Sequence, residues 1–215
     1  MKYSKLLFPF LLFTNTTFAA TLYESALDTG TQALSRGSSV SNQYLGSRFT
    51  LAQDSTVTGI GALFGNVNGD FWGAIISLNA AAIPGSTFDI ETEALGFTIF
   101  NQGDWTVDDT YIEDLSLSLM AGDYAVVFGG DTLFGTTGSA NTHPQNQADT
   151  SAGVGSYFFK HIEGSWFNGG FNNNRMVVMG EVSQVPVPAA IWLMGSGLLG
   201  LMRFSRKNKA QSVAA

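Results

Sequence analysis

The clearest structural pattern in this chain of 215 residues lies at positions 115–128, Leu115-Ser116-Leu117-Ser118-Leu119-Met120-Ala121-Gly122-Asp123-Tyr124-Ala125-Val126-Val127-Phe128. The first five residues alternate strictly between leucine and serine. Because successive side chains of a strand point to opposite faces, the leucines are predicted to face a core and the serines to face water. A tight connection at 120–123 then leads into an apolar run that is typical of a second strand. The stretch therefore predicts a β-hairpin.

The same composition recurs along the chain, as short runs of β-branched and aromatic residues separated by Gly, Asn, Asp and Pro. Strands are predicted at 46–51, 56–64, 71–79, 95–100, 110–119, 124–128, 156–162 and 175–182. The spacing of apolar residues allows a helical turn only in residues 22–34. Eight strands without helices for parallel crossovers predict an all-β chain, an antiparallel β-sandwich of jelly-roll type.

Charge is distributed unevenly along the chain. Residues 21–184, the length of one domain, hold all seventeen acidic residues and only four basic ones, which gives a formal charge of −13. So acidic a surface repels phosphate backbones and excludes nucleic acid as a partner. The chain has no cysteine, so no disulfide supports the fold and its hydrophobic core must suffice.

The first twenty residues have the pattern of a secretory signal peptide. Lys2 and Lys5 precede an apolar core at 6–13, and small residues close the segment. Cleavage is predicted after Ala19 or Ala20, following export through the Sec translocon. The apolar core is too short for a membrane anchor.

The last thirty residues combine three features in a fixed order. Val185-Pro186-Val187-Pro188 comes first and is followed by the uncharged run Ala189-Ala190-Ile191-Trp192-Leu193-Met194-Gly195-Ser196-Gly197-Leu198-Leu199-Gly200-Leu201-Met202. Counted from Val185, the run reaches the roughly 17 residues of a short membrane-spanning helix. The basic residues Arg203, Arg206, Lys207 and Lys209 follow, and such a cluster holds its end of the helix in the cytoplasm. Residues 210–215 are the predicted cytoplasmic tail.

This tail, 185–209, resembles the PEP-CTERM sorting signal of Gram-negative bacteria, in which a proline motif precedes a Gly- and Leu-rich transmembrane helix and a basic cluster. Val187 stands where the family's namesake glutamate would be, as in the variant with an apolar residue between the prolines. The resemblance implies an exosortase that cuts near the motif, inner-membrane anchoring before that cut, and delivery to the cell surface or extracellular matrix. The alternative is a single-pass anchor that is never cut.

A second resemblance concerns the domain between these ends, residues 21–184. The segments 69–78, 83–86, 119–129 and 133–138 are similar to the ectodomains that often precede such sorting tails. Those ectodomains are similar to β-sandwiches, and most have no assigned activity. The resemblance supports the fold and transfers no catalytic residue.

Catalytic constellations are poorly represented in the sequence. A histidine-based triad would have to use His143 or His161, and no G-x-S-x-G elbow occurs in the ectodomain. Asp108-Asp109 and Glu113-Asp114 are adjacent pairs, whose members point to opposite faces of an extended chain and cannot oppose each other as glycosidase carboxylates. We therefore predict a non-enzymatic protein with no catalytic residue.

Acidic residues at alternate positions offer one candidate metal site. Asp89, Glu91 and Glu93 share one face if the segment is extended, and their oxygens are of the kind that Ca²⁺ prefers. No cofactor is otherwise predicted.

Aromatic residues offer the candidate ligand site. Trp166, Phe167, Asn168 and Phe171 lie in a segment rich in Gly and Asn, a composition suited to stacking on a sugar and bonding its hydroxyls. Alternatively, these rings close one end of the core and the asparagines form turns. Phe71-Trp72 and Trp105 invite the same two interpretations.

Two hypotheses follow for the whole protein. The first is an exported, exosortase-sorted surface or extracellular-matrix protein associated with exopolysaccharide in a biofilm. The second is a carbohydrate-binding module, or a polysaccharide-acting enzyme, on the same tail. They differ in one structural requirement, because the second needs Trp166 and its aromatic neighbours to be exposed.

Overall fold

A computed structural model describes residues 19–27, 38–78, 83–101, 103, 110–142, 157–170 and 174–183. The chain divides into two units, 1–183 and 184–215, and every described residue belongs to the first. The predicted signal peptide up to residue 18, the sorting region at 185–209 and the tail at 210–215 lie outside the described residues. In the part that is described, no helix has both the length and the apolar composition needed to cross a membrane.

Twelve strands make up most of the described chain. They are β1 (Ala20–Glu24), β2 (Ser38–Ser39), β3 (Gln43–Leu51), β4 (Ser55–Asn68), β5 (Phe71–Ser77), β6 (Gly96–Phe100), β7 (Thr110–Leu119), β8 (Gly122–Gly129), β9 (Ser139–Thr142), β10 (Tyr157–His161), β11 (Trp166–Gly170) and β12 (Met176–Val182). One short helix, α1 (Ile90–Glu93), and a 3₁₀ turn (Leu133–Gly135) interrupt them.

The strands form two six-stranded sheets whose neighbours are all antiparallel. In the first sheet the order is β1-β12-β4-β9-β2, and β7 also pairs with β4; in the second it is β11-β10-β3-β8-β5-β6. The two sheets pack face to face, and the predicted antiparallel β-sandwich is confirmed. All eight predicted strands are present, with ends that differ by a few residues.

The main core lies between the sheets and is built from alternate residues of both. The first sheet contributes Val57, Ile60, Phe64, Leu115, Leu119, Met176 and Val178, and the second contributes Leu45, Phe49, Phe71, Ile75, Phe100, Val126 and Phe128. Four phenylalanines form an edge-to-face cluster at its centre: the ring of Phe64 lies 4.8 to 5.4 Å from the rings of Phe71, Phe128 and Phe100. Such pairs contribute beyond their buried area.

The stretch at 115–128 has the predicted alternation but a different pairing. Leu115 and Leu119 are buried and Ser116 and Ser118 are exposed, as predicted. The predicted hairpin is wrong, because β7 pairs with β4 in the first sheet whereas β8 lies between β3 and β5 in the second. Leucines from β7 and alternate residues of β8 enter the same core from opposite sides, so the connection must cross from one sheet to the other.

Four of the described strands were not predicted from the sequence. These are β1, β2, β9 and β11. The helical turn that the spacing allowed at 22–34 is wrong in its first residues, because Ala20–Glu24 is a strand paired with β12. These strands are short or rich in Gly, Ser and Asn, so their sequence carries little of the alternating signal.

A second buried layer covers the outer face of the second sheet. Tyr44, Trp72, Ala74, Ile76, Leu78, Ile90, Ala125, Val127, Phe158 and Trp166 form this outer cluster. The segment around α1 and the 3₁₀ turn pack on it, through residues that include Phe88 and Phe134. The central strands β5 and β8 of the second sheet are therefore buried on both faces, and both are almost continuously apolar.

Candidate functional site

A lysine lies between two aromatic rings on the outer face of the second sheet. In the register of β3, β10 and β11, Lys160 is directly opposite Tyr44 on one side and Trp166 on the other. Its ammonium is 5.7 Å from the centroid of the Tyr44 ring and 5.6 Å from that of Trp166. Both distances are within the range of cation–π attraction. Three neighbouring strands are thus joined by one row of side chains.

Asp131, which follows β8, holds the tyrosine of this row in place. Its carboxylate accepts hydrogen bonds from the hydroxyl of Tyr44, from Nε1 of Trp72 at 2.8 Å and from the backbone N–H of Leu133 at 3.3 Å. Burial raises the pKa of the Tyr44 hydroxyl, and the hydrogen bond and charge of Asp131 raise it further, with smaller contributions from Asp89 and Glu91. Tyr44 is therefore held as the neutral phenol that Asp131 needs as a donor.

Trp166 is a buried member of the outer cluster. Its side chain is 6 % exposed and contacts the rings of Phe158, Tyr44 and Phe88 at 5.3 to 6.5 Å. Its indole nitrogen is buried, and its N–H has no hydrogen-bond partner among the described residues. The sugar-stacking role predicted for Trp166 requires an exposed ring, and the structure instead places that ring in a core. Phe71 and Trp72 are fully buried as well, and Trp105 lies outside the described residues.

Phe167 points to the opposite face of β11 and is the exposed ring of this segment. It is 48 % exposed and lies directly opposite Phe159 of β10, with the two rings stacked at 5.6 Å. The ring of His161 lies 5.7 Å from that of Phe159. Asn168 is exposed, and Phe171 lies outside the described residues. Of the aromatic residues that the sequence grouped as possible sugar contacts, Trp166 is therefore buried and Phe167 is exposed.

The candidate calcium ligands Asp89, Glu91 and Glu93 lie at the start of a short helix and within it. Residues 90–93 form α1, so the predicted extended segment is wrong. Asp89 caps this helix by accepting a 3.1 Å hydrogen bond from the backbone N–H of Glu91, and Glu93 accepts one of 2.9 Å from the backbone N–H of Asp89. Such reciprocal capping stabilises a helix start. Among the described residues, no group of three or more acidic or histidine side chains could hold a metal ion.

The remaining polar candidates are dispersed. Glu113 is half-buried and Asp114 is exposed, so the two carboxylates on β7 point apart, as the sequence predicted. Burial and the neighbouring charge of Asp114 raise the pKa of Glu113. His161 lies exposed at the end of β10. Asp108, Asp109 and His143 lie outside the described residues.

Tyr44, Lys160 and Asp131 were not predicted as site residues from the sequence. Tyr44 precedes the predicted start of its strand, and Asp131 follows the end of another, so neither had an assigned face. Lys160 is the residue from which this site could have been predicted, because a cation in a predicted strand rich in aromatic residues needs a partner.

The two ends of the described domain meet at one end of the first sheet. Ala20 at the start of β1 is opposite Gly180 near the end of β12, and the backbone N–H of Ser183 donates a 2.8 Å hydrogen bond to the carbonyl of Asp54. The predicted signal-peptide cleavage positions, Ala19 and Ala20, are thus at the beginning of a paired edge strand. At the other end of β12, Arg175 forms a 3.2 Å ion pair with Glu24 of β1.

Comparison with known proteins defines the segment that follows β12. Residues 184–207 match the PEP-CTERM protein-sorting motif. The motif implies an exported protein that is sorted and processed by an exosortase. The chain is a PEP-CTERM protein, and the resemblance of its tail at 185–209 to this sorting signal is confirmed. No curated protein matches the chain.

Proposed function

We propose that this PEP-CTERM protein is a non-enzymatic component of the cell surface or extracellular matrix of a Gram-negative bacterium, associated with exopolysaccharide in a biofilm. The observation that carries the proposal is the junction between the fold and the signal. The last strand ends at Val182 and the sorting motif begins at residue 184. A complete antiparallel sandwich is therefore delivered by the exosortase pathway.

The path of maturation follows from the two ends. The signal peptide passes through the Sec translocon, and its cleavage after Ala19 leaves β1 whole, whereas cleavage after Ala20 shortens it by one residue. The apolar run at 189–202 then anchors the chain in the inner membrane, with Arg203, Arg206, Lys207 and Lys209 in the cytoplasm. Cleavage near Val185 to Pro188 releases the sandwich to the surface.

We also propose that the sandwich is a jelly roll. Support comes from the runs β1-β12-β4-β7 and β3-β8-β5-β6, which have the strand order of two Greek keys wound around each other. In this arrangement β2, β9, β10 and β11 are additions to the eight-stranded fold.

The carbohydrate-binding alternative requires the ring of Trp166 to be exposed. Trp166 is buried beneath Phe88, so that ring cannot stack on a sugar without opening the outer cluster. On the criterion that separates the two hypotheses, the structure therefore favours the surface or matrix protein.

The proposed function is tested by the intact mass of the protein from its native host, with and without the exosortase. We expect a mature form that begins at Ala20 or Thr21 and ends between Val185 and Pro188, and only when the exosortase is present. A form that keeps residues 191–209 in both strains would make the protein a permanently anchored sandwich and would remove the matrix role.

A further inference from the structure

We infer that the end of the sandwich at which β12 ends is a docking surface for the exosortase. We call this surface the exit end; it consists of residues 50–55, 119–123 and 182–183, which strand pairing and hydrogen bonds bring together. The inference rests on the proposed function, because it requires the exosortase to cut within 185–188. It adds a folded surface to the linear motif as part of what the enzyme contacts.

Asp54 joins three segments of the exit end. Its carbonyl oxygen accepts a 2.8 Å hydrogen bond from the backbone N–H of Ser183, and its Oδ1 accepts one of 2.9 Å from the backbone N–H of Ala121. The turn between β3 and β4, the connection between β7 and β8 and the residue after β12 are thus held by one side chain and its backbone. The chain belongs to the fold up to Ser183, and the sorting motif begins at the next residue.

The short stretch of chain between the exit end and the cut determines which surface the exosortase approaches. The predicted cleavage positions, Val185 to Pro188, lie two to five residues beyond Ser183. Since an extended chain advances at most about 3.6 Å per residue, the cut lies no farther than about 18 Å from Ser183. This reach is less than the diameter of a small domain, about 30 Å. An enzyme whose catalytic residues touch the cut therefore places part of its surface against the exit end.

The exit end presents exposed apolar side chains and a pocket. Met120 is 74 % exposed, the highest value among the large apolar side chains of the described residues, and Val182 is 47 % exposed. Val182 also lines a pocket of about 280 Å³, together with residues that include Leu22, Leu51 and Gln53. Exposed apolar groups beside a pocket are typical of interaction sites, in which the pocket receives an anchoring side chain of the partner. We therefore expect the exosortase to place an apolar side chain next to Val182.

Charge distinguishes the exosortase from other occupants of this surface. The described domain belongs to a segment, 21–184, with a formal charge of −13, which opposes contact with a second copy or with anionic lipid. Two carboxylates of the exit end already accept hydrogen bonds inside the domain: Asp54 from Ala121, and Asp123 from Oγ1 of Thr50 at 2.7 Å. The sorting motif brings the exosortase to this end of the sandwich whatever the charge of the domain.

The test measures processing of the full-length chain by its own exosortase after a charge is introduced at the exit end. Met120→Lys is expected to slow processing in a pulse-chase experiment by about fivefold or more, the effect of losing an energetically important interface residue. Ile112→Lys is the matched control and is expected to leave the rate unchanged. Ile112 is also an exposed apolar residue, but it lies near the start of β7, whereas Met120 follows the end of that strand.

A longer tether separates docking from other effects of the lysine. A Gly-Ser linker of about twelve residues after Ser183 adds an average span of roughly 19 Å, so the enzyme can reach the motif without approaching the exit end. In this background, Met120→Lys is expected to be processed as fast as the linker-bearing parent. Equal slowing with and without the linker would overturn the proposal, because the lysine would then act through folding or export.

Cross-linking covers the case in which Met120→Lys fails to fold. The chain has no cysteine, so Met120→Cys and Ile112→Cys each supply a single thiol for a maleimide–benzophenone label. The labelled full-length chains are irradiated in vesicles that contain a catalytically inactive exosortase. An adduct with the exosortase is expected from position 120 and not from position 112. Adducts with lipid alone, or equal adducts with the exosortase from both positions, would contradict the docking surface.

Failure of the proposed function would give a different result. If the wild type keeps residues 191–209 with and without the exosortase, the processing on which the inference rests is wrong. If the wild type is processed and Met120→Lys is processed at the same rate, only the docking surface is wrong.

Discussion

The indole N–H of Trp72 donates a 2.8 Å hydrogen bond to Oδ1 of Asp131, a residue 59 positions later in the chain. Trp72 is completely buried on β5, and the other oxygen of the same carboxylate accepts from the hydroxyl of Tyr44 on β3. One carboxylate thus satisfies polar groups from two strands that are separated by β8 in the sheet. Four predictions follow from this arrangement and from its surroundings.

Replacing Asp131 with alanine is expected to destabilise the fold by about 2 to 5 kcal/mol. The indole of Trp72 and the phenol of Tyr44 would each lose their acceptor inside the outer cluster, and a buried donor without a partner costs about 1 to 3 kcal/mol. Urea unfolding measures the change. Asp131→Asn, which keeps one carbonyl oxygen, should lie between the wild type and Asp131→Ala; equal stability of all three proteins would contradict the anchoring role.

Alkaline pH is expected to destabilise the protein through Tyr44. Burial, and then Asp131, raise the pKa of this phenol above its ordinary value of about 10, so the folded state retains the proton after the unfolded state has released it. The stabilising contribution is complete below about pH 10 and is lost as the pH rises further towards the folded pKa.

The measurement is the urea midpoint between pH 8 and 11, compared between the wild type and Tyr44→Phe. The variant should be less stable at pH 8, where it lacks the hydrogen bond, and its midpoint should fall less steeply above pH 10. Tyr124 also has a raised pKa, from burial and from Asp54, so Tyr124→Phe is the matched comparison. Parallel curves for Tyr44→Phe and the wild type would rule out titration of Tyr44.

Two substitutions of Trp166 are expected to distinguish the contribution of its ring to stability from that of its indole N–H. Trp166→Ala should cost about 3 to 5 kcal/mol, because it removes a ring that packs against Tyr44, Phe88 and Phe158. Trp166→Phe should cost less than about 1.5 kcal/mol, since it also removes a buried N–H that has no partner in the part of the chain that the structure describes. If both variants lose the same stability by urea unfolding, the N–H has a partner that the geometry does not show.

Glycine at position 61 is expected to be essential for the pairing of β4 with β7. A Cβ there would overlap with the backbone carbonyl of Tyr111, which cannot move without breaking the ladder. Gly61→Ala should therefore cost about 3 kcal/mol or more in thermal or urea unfolding, at the upper end of overpacking effects. Apart from its chain neighbours, no described residue comes within 4 Å of the Cβ position of Gly85, so Gly85→Ala is the control and should be close to neutral. Similar losses in both variants would show that the overlap with Tyr111 does not set the effect, since the lower entropy of the unfolded chain would by itself stabilise either variant.

The fold class could be predicted because strand alternation is a local property. Leu115 and Leu119 face the core and Ser116 and Ser118 face water without any knowledge of their partners. The partners could not be predicted in the same way. The short connection at 120–123 is compatible with a hairpin or with a crossing between sheets, and burial of both segments in one core selected the crossing.

The sequence predicted which residue types lie together in the candidate site, but not which of them are buried. The sequence placed Trp166 and Phe167 together, and adjacent residues of a strand necessarily point to opposite faces. Which face was covered depended on α1 and the 3₁₀ turn, which are 30 to 80 residues away in the chain and pack on the Trp166 side. In the same way, Asp89 and Glu93 were visible as neighbouring carboxylates, but their capping role required the helix to exist.

By itself, the sequence predicted the export signals and determined the acidic character of the domain, the absence of disulfides and the antiparallel β-sandwich class, because each of these depends on residues close together in the chain or on composition alone. The PEP-CTERM motif is of this kind and needs no fold to be identified. Only the tertiary structure decided the strand order, the burial of Trp166 and the row of Tyr44, Lys160 and Trp166. These features join residues that are distant in sequence. The free energy of each arrangement depends on which surfaces the folded chain buries together.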